Sequence, residues 1–326
     1  MKKISVIFVL ILSTVIFTAC ASAAAPDFNP YWGQITDDKD GILEYSEYEI
    51  SVAPITNDKG EYTSPDDYKL DPSSSGIYSI TISKDGTSAG HYNVTTKFTF
   101  TGKYNKNGTL TDEFKDDNYT GECSFVLTTT KLTMVSSKRT VGKMTVCNDD
   151  GTLSTVSYTA SNSYDSSKSK MTSSLQIISD DDDILKDCKS EFTASYSKYF
   201  FDNECMFVAL RALKPQSGFS VDFSVPDNIA QTITSMNAKY VSTDKLSLAI
   251  NGGETQDIEY NLIQAVITGT DQVGAPISLY FSKDDNVTYI LDNGTNVNTQ
   301  YYKLLQIKHG DMIYTLTNYT NNSKKK

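Results

Sequence analysis

The sequence predicts a mainly β protein, built on a large antiparallel curved sheet or half β-barrel with one buried helix. Three observations predict this fold class. Apolar and polar residues alternate with period two along much of the chain, turn-forming dipeptides separate these runs, and one short segment has helical spacing. The 326 residues are 39% hydrophobic, a fraction that indicates a packed core and excludes a disordered chain.

The clearest predicted strand spans residues 92–101. Its apolar face consists of Tyr92, Val94, Thr96, Phe98 and Phe100. The same alternation recurs at residues 78–82, 219–225, 277–281 and 312–316. Dipeptides such as Asn107-Gly108 and Asp150-Gly151 tolerate the positive φ of tight turns. Hairpins, and therefore antiparallel pairing, are expected.

Residues 205–213 form the predicted buried helix, because their apolar side chains recur at helical spacing after Asp202, a candidate N-cap. A buried strand is the alternative, since so short an apolar run fits both periods. A second, weaker helical pattern lies around residues 229–236. The helix at 205–213 is the one expected to pack inside the sheet.

The N-terminus has the order of a secretory signal. Lys2 and Lys3 precede an apolar run that is shorter than the ~20 residues of a spanning helix. Residues 16–20 resemble the lipobox of bacterial lipoproteins, in which cleavage before Cys20 leaves that residue with a diacylglycerol whose acyl chains are, for example, palmitate. The alternative is signal peptidase I cleavage after Ala23, which would release a soluble protein.

The predicted organisation follows from this signal. Residues 1–19 are a signal peptide, 20–40 a lipid anchor and tether, 41–320 an antiparallel β domain with a candidate seam near 161–200, and 321–326 a polar tail. The chain is expected to be exported and anchored to the bacterial cell membrane, facing outside the cytoplasm. A formal charge of -11 opposes nucleic acid as a partner.

Four cysteines remain if Cys20 is lipidated, in a compartment that permits disulfides. They are Cys123, Cys147, Cys188 and Cys205. Three pairings are open, and bonds between sequence neighbours, Cys123 with Cys147 and Cys188 with Cys205, would each contribute ~3 kcal/mol by closing a short loop. Four buried thiols are the alternative.

Residues 78–90, YSITISKDGTSAG, resemble the opening hairpin of a bacterial envelope family of unknown function, whose half-barrel is similar to lipoprotein-carrier folds such as LolA. Residues 205–213 resemble the family's helix, 275–285 its late strand and turn, and 304–318 its closing hairpin. The resemblance implies an open, curved sheet around a helix, with an apolar groove and no catalytic residues. Residues 101–200 depart from it, as a long insertion or a different sheet.

The groove suggests a binding mechanism. Six apolar residues are predicted to line a concave surface that accepts an acyl chain or a partner segment: Phe98, Phe100, Phe207, Leu210, Phe223 and Leu279. Ordinary core packing explains the same residues and is the alternative.

A hydrolase motif is present in sequence only. Residues 86–90 satisfy G-x-S-x-G around Ser88, and His91 follows. A nucleophile elbow needs a strand, a turn and a helix, whereas here an alternating strand follows, so a hairpin turn is favoured. His91 and His309 are both expected at the surface.

A calcium-binding loop is a further hypothesis. Asp38, Asp40, Gly41 and Glu47 occupy positions three, five, six and twelve of an EF-hand-like string, although Thr36 stands at position one. An acidic turn is the alternative. No other cofactor is expected.

The sequence therefore favours a membrane-anchored extracytoplasmic lipoprotein that is a non-catalytic binding or structural protein, with a lipid or an envelope protein as its partner. The alternatives are a secreted hydrolase using Ser88 and His91, and a surface adhesion protein that depends on Ca²⁺ or binds glycans through its tyrosines.

Overall fold

The fold is seen in a computed structural model that describes residues 41–54, 67–84, 90–128, 131–196, 199–268, 275–283, 285–290 and 296–321. These residues form nineteen strands, one α-helix and a 3₁₀ turn at Asp181–Asp183. The strands are β1 (Ile42–Val52), β2 (Lys69–Leu70), β3 (Ser75–Lys84), β4 (His91–Gly102), β5 (Tyr104–Lys106), β6 (Thr109–Leu110), β7 (Phe114–Leu127), β8 (Leu132–Cys147), β9 (Leu153–Asp165), β10 (Lys170–Asp180), β11 (Glu191–Ser195), β12 (Ser220–Asp227), β13 (Thr232–Leu248), β14 (Gln256–Ile267), β15 (Ile277–Ser282), β16 (Asp285–Ile290), β17 (Asn296–Tyr301), β18 (Leu304–His309) and β19 (Met312–Asn321). The helix is α1 (Met206–Ala212).

Fourteen strands form one curved antiparallel sheet in the order β11-β10-β9-β8-β7-β4-β3-β1-β19-β18-β15-β14-β13-β12. Most neighbours follow one another along the chain, as the turn dipeptides predict. The pairs β1–β3, β4–β7 and β15–β18 enclose the shorter strands β2, β5, β6, β16 and β17, and the pair β1–β19 joins the two ends of the described chain. The predicted fold class, a mainly β protein with a large curved antiparallel sheet and one helix, is confirmed.

Most of residues 101–200 are part of this sheet, and only the short strands β5 and β6 pair separately, in a three-stranded sheet with β2. Strands β7, β8, β9 and β10 pair in succession, and β11 forms the edge beyond them. Each of these strands pairs with the strand before it in the sequence. The residues that depart from the resembled family therefore extend the large sheet by further strands.

The two edge strands, β11 and β12, come together across a narrow edge junction. Phe200 forms a parallel bridge with Ser224, whose backbone NH donates to the carbonyl of Tyr199 at 2.9 Å. On the same junction the Cys188 thiol donates to the carbonyl of Ile229 at 3.5 Å. Edge strands present unpaired backbone groups, and these contacts satisfy several of them. The sheet curves nearly into a barrel without closing its hydrogen-bond ladder.

Helix α1 lies inside the curved sheet, and only Phe207 among its residues is not fully buried. Arg211 binds Glu44 of β1 through both guanidinium NH₂ groups, at 2.6 and 3.0 Å. The predicted helix at 205–213 is thus confirmed. None of the described helices is long and apolar enough to be a membrane-span candidate.

Two local predictions around the helix are wrong. Cys205 is the N-cap, whereas Asp202 lies one turn earlier and accepts from the Glu204 NH at 3.0 Å. Residues 232–248 form strand β13 rather than a second helix, because β12 and β14 pair with it on both sides. The backbone hydrogen bonds of this segment are made with β12 and β14. The spacing of its apolar residues at 229–236 gives no information on that pairing.

The core is the inner face of the sheet packed on α1. In β4 all five residues of the predicted apolar face are buried, while Lys97 and Thr99 on the other face are exposed. The period of two therefore places the buried face of this strand correctly.

Candidate functional site

An interior cavity of about 490 Å³ lies between the sheet and α1. A volume of this size is typical of pockets that hold one drug-sized molecule. Its apolar lining includes Met144, Val146, Val156, Leu185, Met206, Phe207, Met236, Ile277 and Ile307. Most of these residues come from strands far apart in the sequence, and Leu185, Met206 and Phe207 come from the segment after the 3₁₀ turn and from α1. The curvature of the sheet around α1 therefore creates the cavity.

Four tyrosines surround Arg139 in the wall of this cavity: Tyr78, Tyr119, Tyr158 and Tyr314. The Arg139 guanidinium lies 4.8 Å from the centroid of the Tyr119 ring, and the rings of Tyr78 and Tyr314 meet edge to face at 5.6 Å. We call these five residues the tyrosine–arginine cluster. It is one polar part of a mainly apolar lining.

Arg139 forms a buried ion pair with Glu204, which precedes α1. The Arg139 Nε donates to Glu204 Oε1 at 2.5 Å, and the Thr96 hydroxyl donates to the other carboxylate oxygen. Thr96, Gly121 and Arg139 are directly paired neighbours on β4, β7 and β8. A Cβ on Gly121 would lie 1.9 Å from Glu204 Oε2. Glycine therefore makes room for the carboxylate.

A second buried carboxylate, Asp202, fixes the same segment to the sheet. Its Oδ2 accepts from the hydroxyl of Ser137 at 2.6 Å, from the hydroxyl of Tyr164 and from the amide of Asn162 at 3.3 Å. Buried carboxylates are stable only when such donors replace water. The two acids together position the N-terminal end of α1 against the cavity.

The charge state of the tyrosine–arginine cluster follows from its surroundings. Burial raises the pKa of Tyr119, and it likewise raises the pKa of Tyr78 and Tyr158. Burial opposes the charge on Arg139, but the Glu204 carboxylate together with Tyr119 and Tyr158 outweighs burial, and the pKa of Arg139 is raised. At neutral pH the hydroxyls are therefore protonated and the ion pair is intact.

The rim of the cavity is formed by the residues after the 3₁₀ turn and by the β12–β13 turn. Asp187 and Ala230 are exposed lining residues there, and Asp227 is half-buried. His309 also lines the cavity, and burial lowers its pKa. The expected surface position of His309 is therefore wrong, because β18 turns this residue toward the interior.

Only one of the six residues predicted to line a groove borders the cavity, namely Phe207. The other five are buried elsewhere in the core: Phe98, Phe100, Leu210, Phe223 and Leu279. Phe98, for example, stacks on the Tyr119 ring at 5.1 Å between centroids. Core packing, the alternative interpretation, describes these five residues.

All four described cysteines are free thiols in the structure: Cys123, Cys147, Cys188 and Cys205. Cys123 and Cys205 are buried, and Cys205 adds to the effect of burial in raising the pKa of Cys123. Cys147 ends β8, whereas Cys188 lies at the cavity rim. The structure brings Cys123 next to Cys205 rather than into contact with its sequence neighbour.

Several predicted residues lie outside the described ranges, namely Cys20, Asp38, Asp40 and Ser88. Glu47 is described, and it accepts hydrogen bonds from the hydroxyl of Tyr45 at 2.5 Å and the amide of Asn318 at 2.6 Å. His91 begins β4. The described residues contain no group of three or more His, Cys, Asp or Glu side chains placed to hold a metal ion. The lipidation, hydrolase and calcium hypotheses stay predictions.

The sequence analysis missed Arg139, Glu204 and Asp202. One signal for them is composition, because the chain contains two arginines, Arg139 and Arg211, among 29 basic residues. Arginine suits buried ion pairs better than lysine, since its planar head binds carboxylates at two points. Both arginines pair with buried glutamates.

Comparison with known proteins adds one structural likeness. No protein-family model matches the chain, and no curated protein matches it. Among solved structures, the chain is similar to the beta-barrel-like protein of domain of unknown function DUF1849 from Brucella abortus, with a TM-score of 0.45 and 9% sequence identity. The likeness covers 87% of this chain and 99% of that chain. The fold class given above rests on this chain's own strand order.

Proposed function

We propose that the protein is a non-catalytic binding protein that holds a hydrophobic small molecule in its interior cavity. The single observation that supports this function is the cavity of about 490 Å³ with a mainly apolar lining. Well-packed cores contain few voids larger than a water molecule. A space of this size is costly to leave empty, so a ligand that fills it would be bound favourably.

The place of action that we propose is the outer side of a bacterial cell membrane, with Cys20 as the lipid anchor. The support is the apolar N-terminal run followed by the lipobox-like residues 16–20. A tether of about 20 residues would then join the anchor to β1. The partners in this proposal are the membrane and one small apolar molecule.

The binding proposal is tested by filling the cavity. Met144 of β8 lines the cavity, whereas Val135 of the same strand is exposed. In Met144→Trp the larger indole occupies the cavity, and we expect the affinity for a neutral solvatochromic dye such as Nile red to fall at least tenfold. Val135→Trp adds a similar group outside the cavity and should leave the affinity unchanged. Equal dye binding by both variants, or no binding by the unmodified chain, would refute the proposal.

The anchor is tested by Cys20→Ala. Intact-mass measurement on protein from its own host membrane should show a mature chain that begins at Cys20 and carries a diacylglycerol, and the variant should yield no chain with this modification. A mature chain that begins after Ala23 without lipid would contradict the anchor. It would leave the cavity proposal standing, because the two rest on different residues.

A further inference from the structure

The polar part of the cavity contains hydroxyl groups that the protein itself leaves available. In the part of the chain that the structure describes, no hydrogen bond to another protein group is seen for the hydroxyls of Tyr78, Tyr119 and Tyr158. These hydroxyls are open to the cavity rather than sealed in protein, so a molecule that displaces water from them must offer a hydrogen-bond partner of its own. A ligand head group among these three rings would supply that partner.

The sheet register places the three tyrosines on one face of the sheet, where all of them line the same cavity. Tyr78 of β3 faces Phe98 of β4, Phe98 faces Tyr119 of β7, and Tyr119 faces Val141 of β8. Tyr158 of β9 completes this row opposite Val141. Side chains of one row across adjacent strands share a face of the sheet. Three tyrosines are thereby aligned beside Arg139.

The cluster selects against charge on the ligand. Arg139 is already neutralised by Glu204 at 2.5 Å, so a buried anion would face Glu204 as well as Asp187 and Asp227 at the rim. A buried cation would instead lie next to Arg139. Either charge, placed among the three tyrosines, would also lose its hydration next to an ion pair whose two members already satisfy each other. A neutral head that accepts and donates hydrogen bonds meets neither penalty.

We propose that the ligand is a neutral single-chain amphipath, whose hydroxyl or ester head lies among Tyr78, Tyr119 and Tyr158 and whose alkyl chain lies along the apolar lining. This inference rests on the proposed function and specifies its ligand class. One alkyl chain suits a cavity of about 490 Å³, within the range for a single small ligand. The tyrosines set the preference for the head group, and the apolar residues supply most of the affinity.

The test compares three ligands with the same twelve-carbon chain: monolauroylglycerol, laurate and dodecyltrimethylammonium. Each displaces Nile red from the Cys20→Ala chain, purified without detergent, below its micellar concentration. We expect monolauroylglycerol to compete at concentrations at least tenfold lower than either charged ligand. In Tyr119→Phe/Tyr158→Phe this preference should fall below threefold, while the affinity for the dye stays the same.

Tyr240→Phe is the matched control, because its hydroxyl pairs with Thr243 outside the cavity, at 2.9 Å. It should keep the tenfold preference. Equal or tighter binding of laurate or of the cation would overturn the neutral head group while leaving the cavity proposal intact. An unmodified chain that binds no dye would overturn both. Loss of preference in Tyr240→Phe as well would show that the cluster is not its source.

Discussion

Gly121 has no side chain because the Glu204 carboxylate occupies the space that a Cβ would need. The cross-strand neighbours of Gly121, Thr96 and Arg139, both bind that carboxylate. A displacement of the Glu204 carboxylate would separate the buried ion pair. This is costly, because a separated buried charge has neither water nor a partner to stabilise it. The site thus depends on the smallest residue in it.

We predict that Gly121→Ala lowers the free energy of unfolding by about 3 kcal/mol, the cost of breaking a buried ion pair. Gly142→Ala is the control on the neighbouring strand. Its Cβ would meet the side chain of Asn118, which is only half-buried and can rotate toward solvent. The control should lose less than about 1 kcal/mol. Urea denaturation measures both, and equal losses would show that Glu204 relaxes at no cost.

His309 predicts how stability depends on pH. Burial lowers its pKa from the usual 6.5. The unfolded chain therefore binds more protons below that pH than the folded chain does, so stability decreases as the pH falls through 6.5 toward the lowered value. We expect the free energy of unfolding to decrease between pH 7.5 and 5.5, and His309→Gln to remove part of that decrease. A pH profile of His309→Gln identical to that of the unmodified chain would contradict this role for His309.

Period-two alternation made the strands predictable, since each buries one face. β4 shows this best, because its five inward residues follow from the sequence alone. The same rule fails for the helical spacing at 229–236, where pairing of β13 with two neighbours decides the structure. The spacing of apolar residues identifies an element when it fits either a strand or a helix. It fails when both periods fit the same residues equally well.

The link between α1 and the sheet could not be read from sequence spacing either. Cys205 is the N-cap of α1, and Cys123 lies on β7. The fold brings these two thiols together although they are far apart in the sequence. Loop length favours sequence neighbours in the entropy model, but the fold decides which cysteines approach each other. All four described thiols are free in the structure, and Cys123 and Cys205 lie side by side.

We predict that refolding in a buffer of reduced and oxidised glutathione links Cys123 to Cys205. A thiolate attacks glutathione disulfide and releases glutathione, and the second thiolate then displaces the other glutathione from the mixed disulfide. Burial raises the pKa of Cys123, so the bond should form during folding rather than afterwards. Non-reducing peptide maps detect it. Cys147→Ser should keep the link and Cys205→Ser should abolish it, whereas a Cys123–Cys147 link would contradict the prediction.

At the scale of the whole molecule, the cavity exists because the sheet curves until its edges almost meet. Hairpin signals predict neighbours along the chain, but the approach of β11 to β12 joins strands at opposite ends of the strand order. Sequence alternation contains no information on that closure or on how completely α1 fills the interior. This is why the half-barrel was predictable and the cavity lining, apart from Phe207, was not.

The edge junction is also the weakest part of the barrel wall. Gln231 crosses it with two hydrogen bonds to the backbone of Lys189, from the Lys189 NH at 3.0 Å and to the Lys189 carbonyl at 2.5 Å. Elsewhere the described strands of the wall pair along most of their length, with bulges at several positions. Local opening starts where two elements are joined by few hydrogen bonds that are exposed to solvent, as those of Gln231 are, so ligands should reach the cavity through this junction.

We predict that Gln231→Asn weakens the junction by about 1 kcal/mol, because the shorter amide cannot reach Lys189. Asparagine tolerates the positive φ of 56° at this position, so the backbone keeps its shape. Hydrogen exchange at the amides of Phe201 and Ser224, which pair across the junction, should become faster, while exchange at Ala238 stays the same. Gln264→Asn, the same change within paired strands β14 and β15, should leave the junction amides unaffected.

Nile red should also associate and dissociate faster in Gln231→Asn with little change in affinity, because opening the wall alters the barrier to entry and not the cavity. Unchanged dye kinetics alongside faster exchange would place the access route elsewhere in the wall.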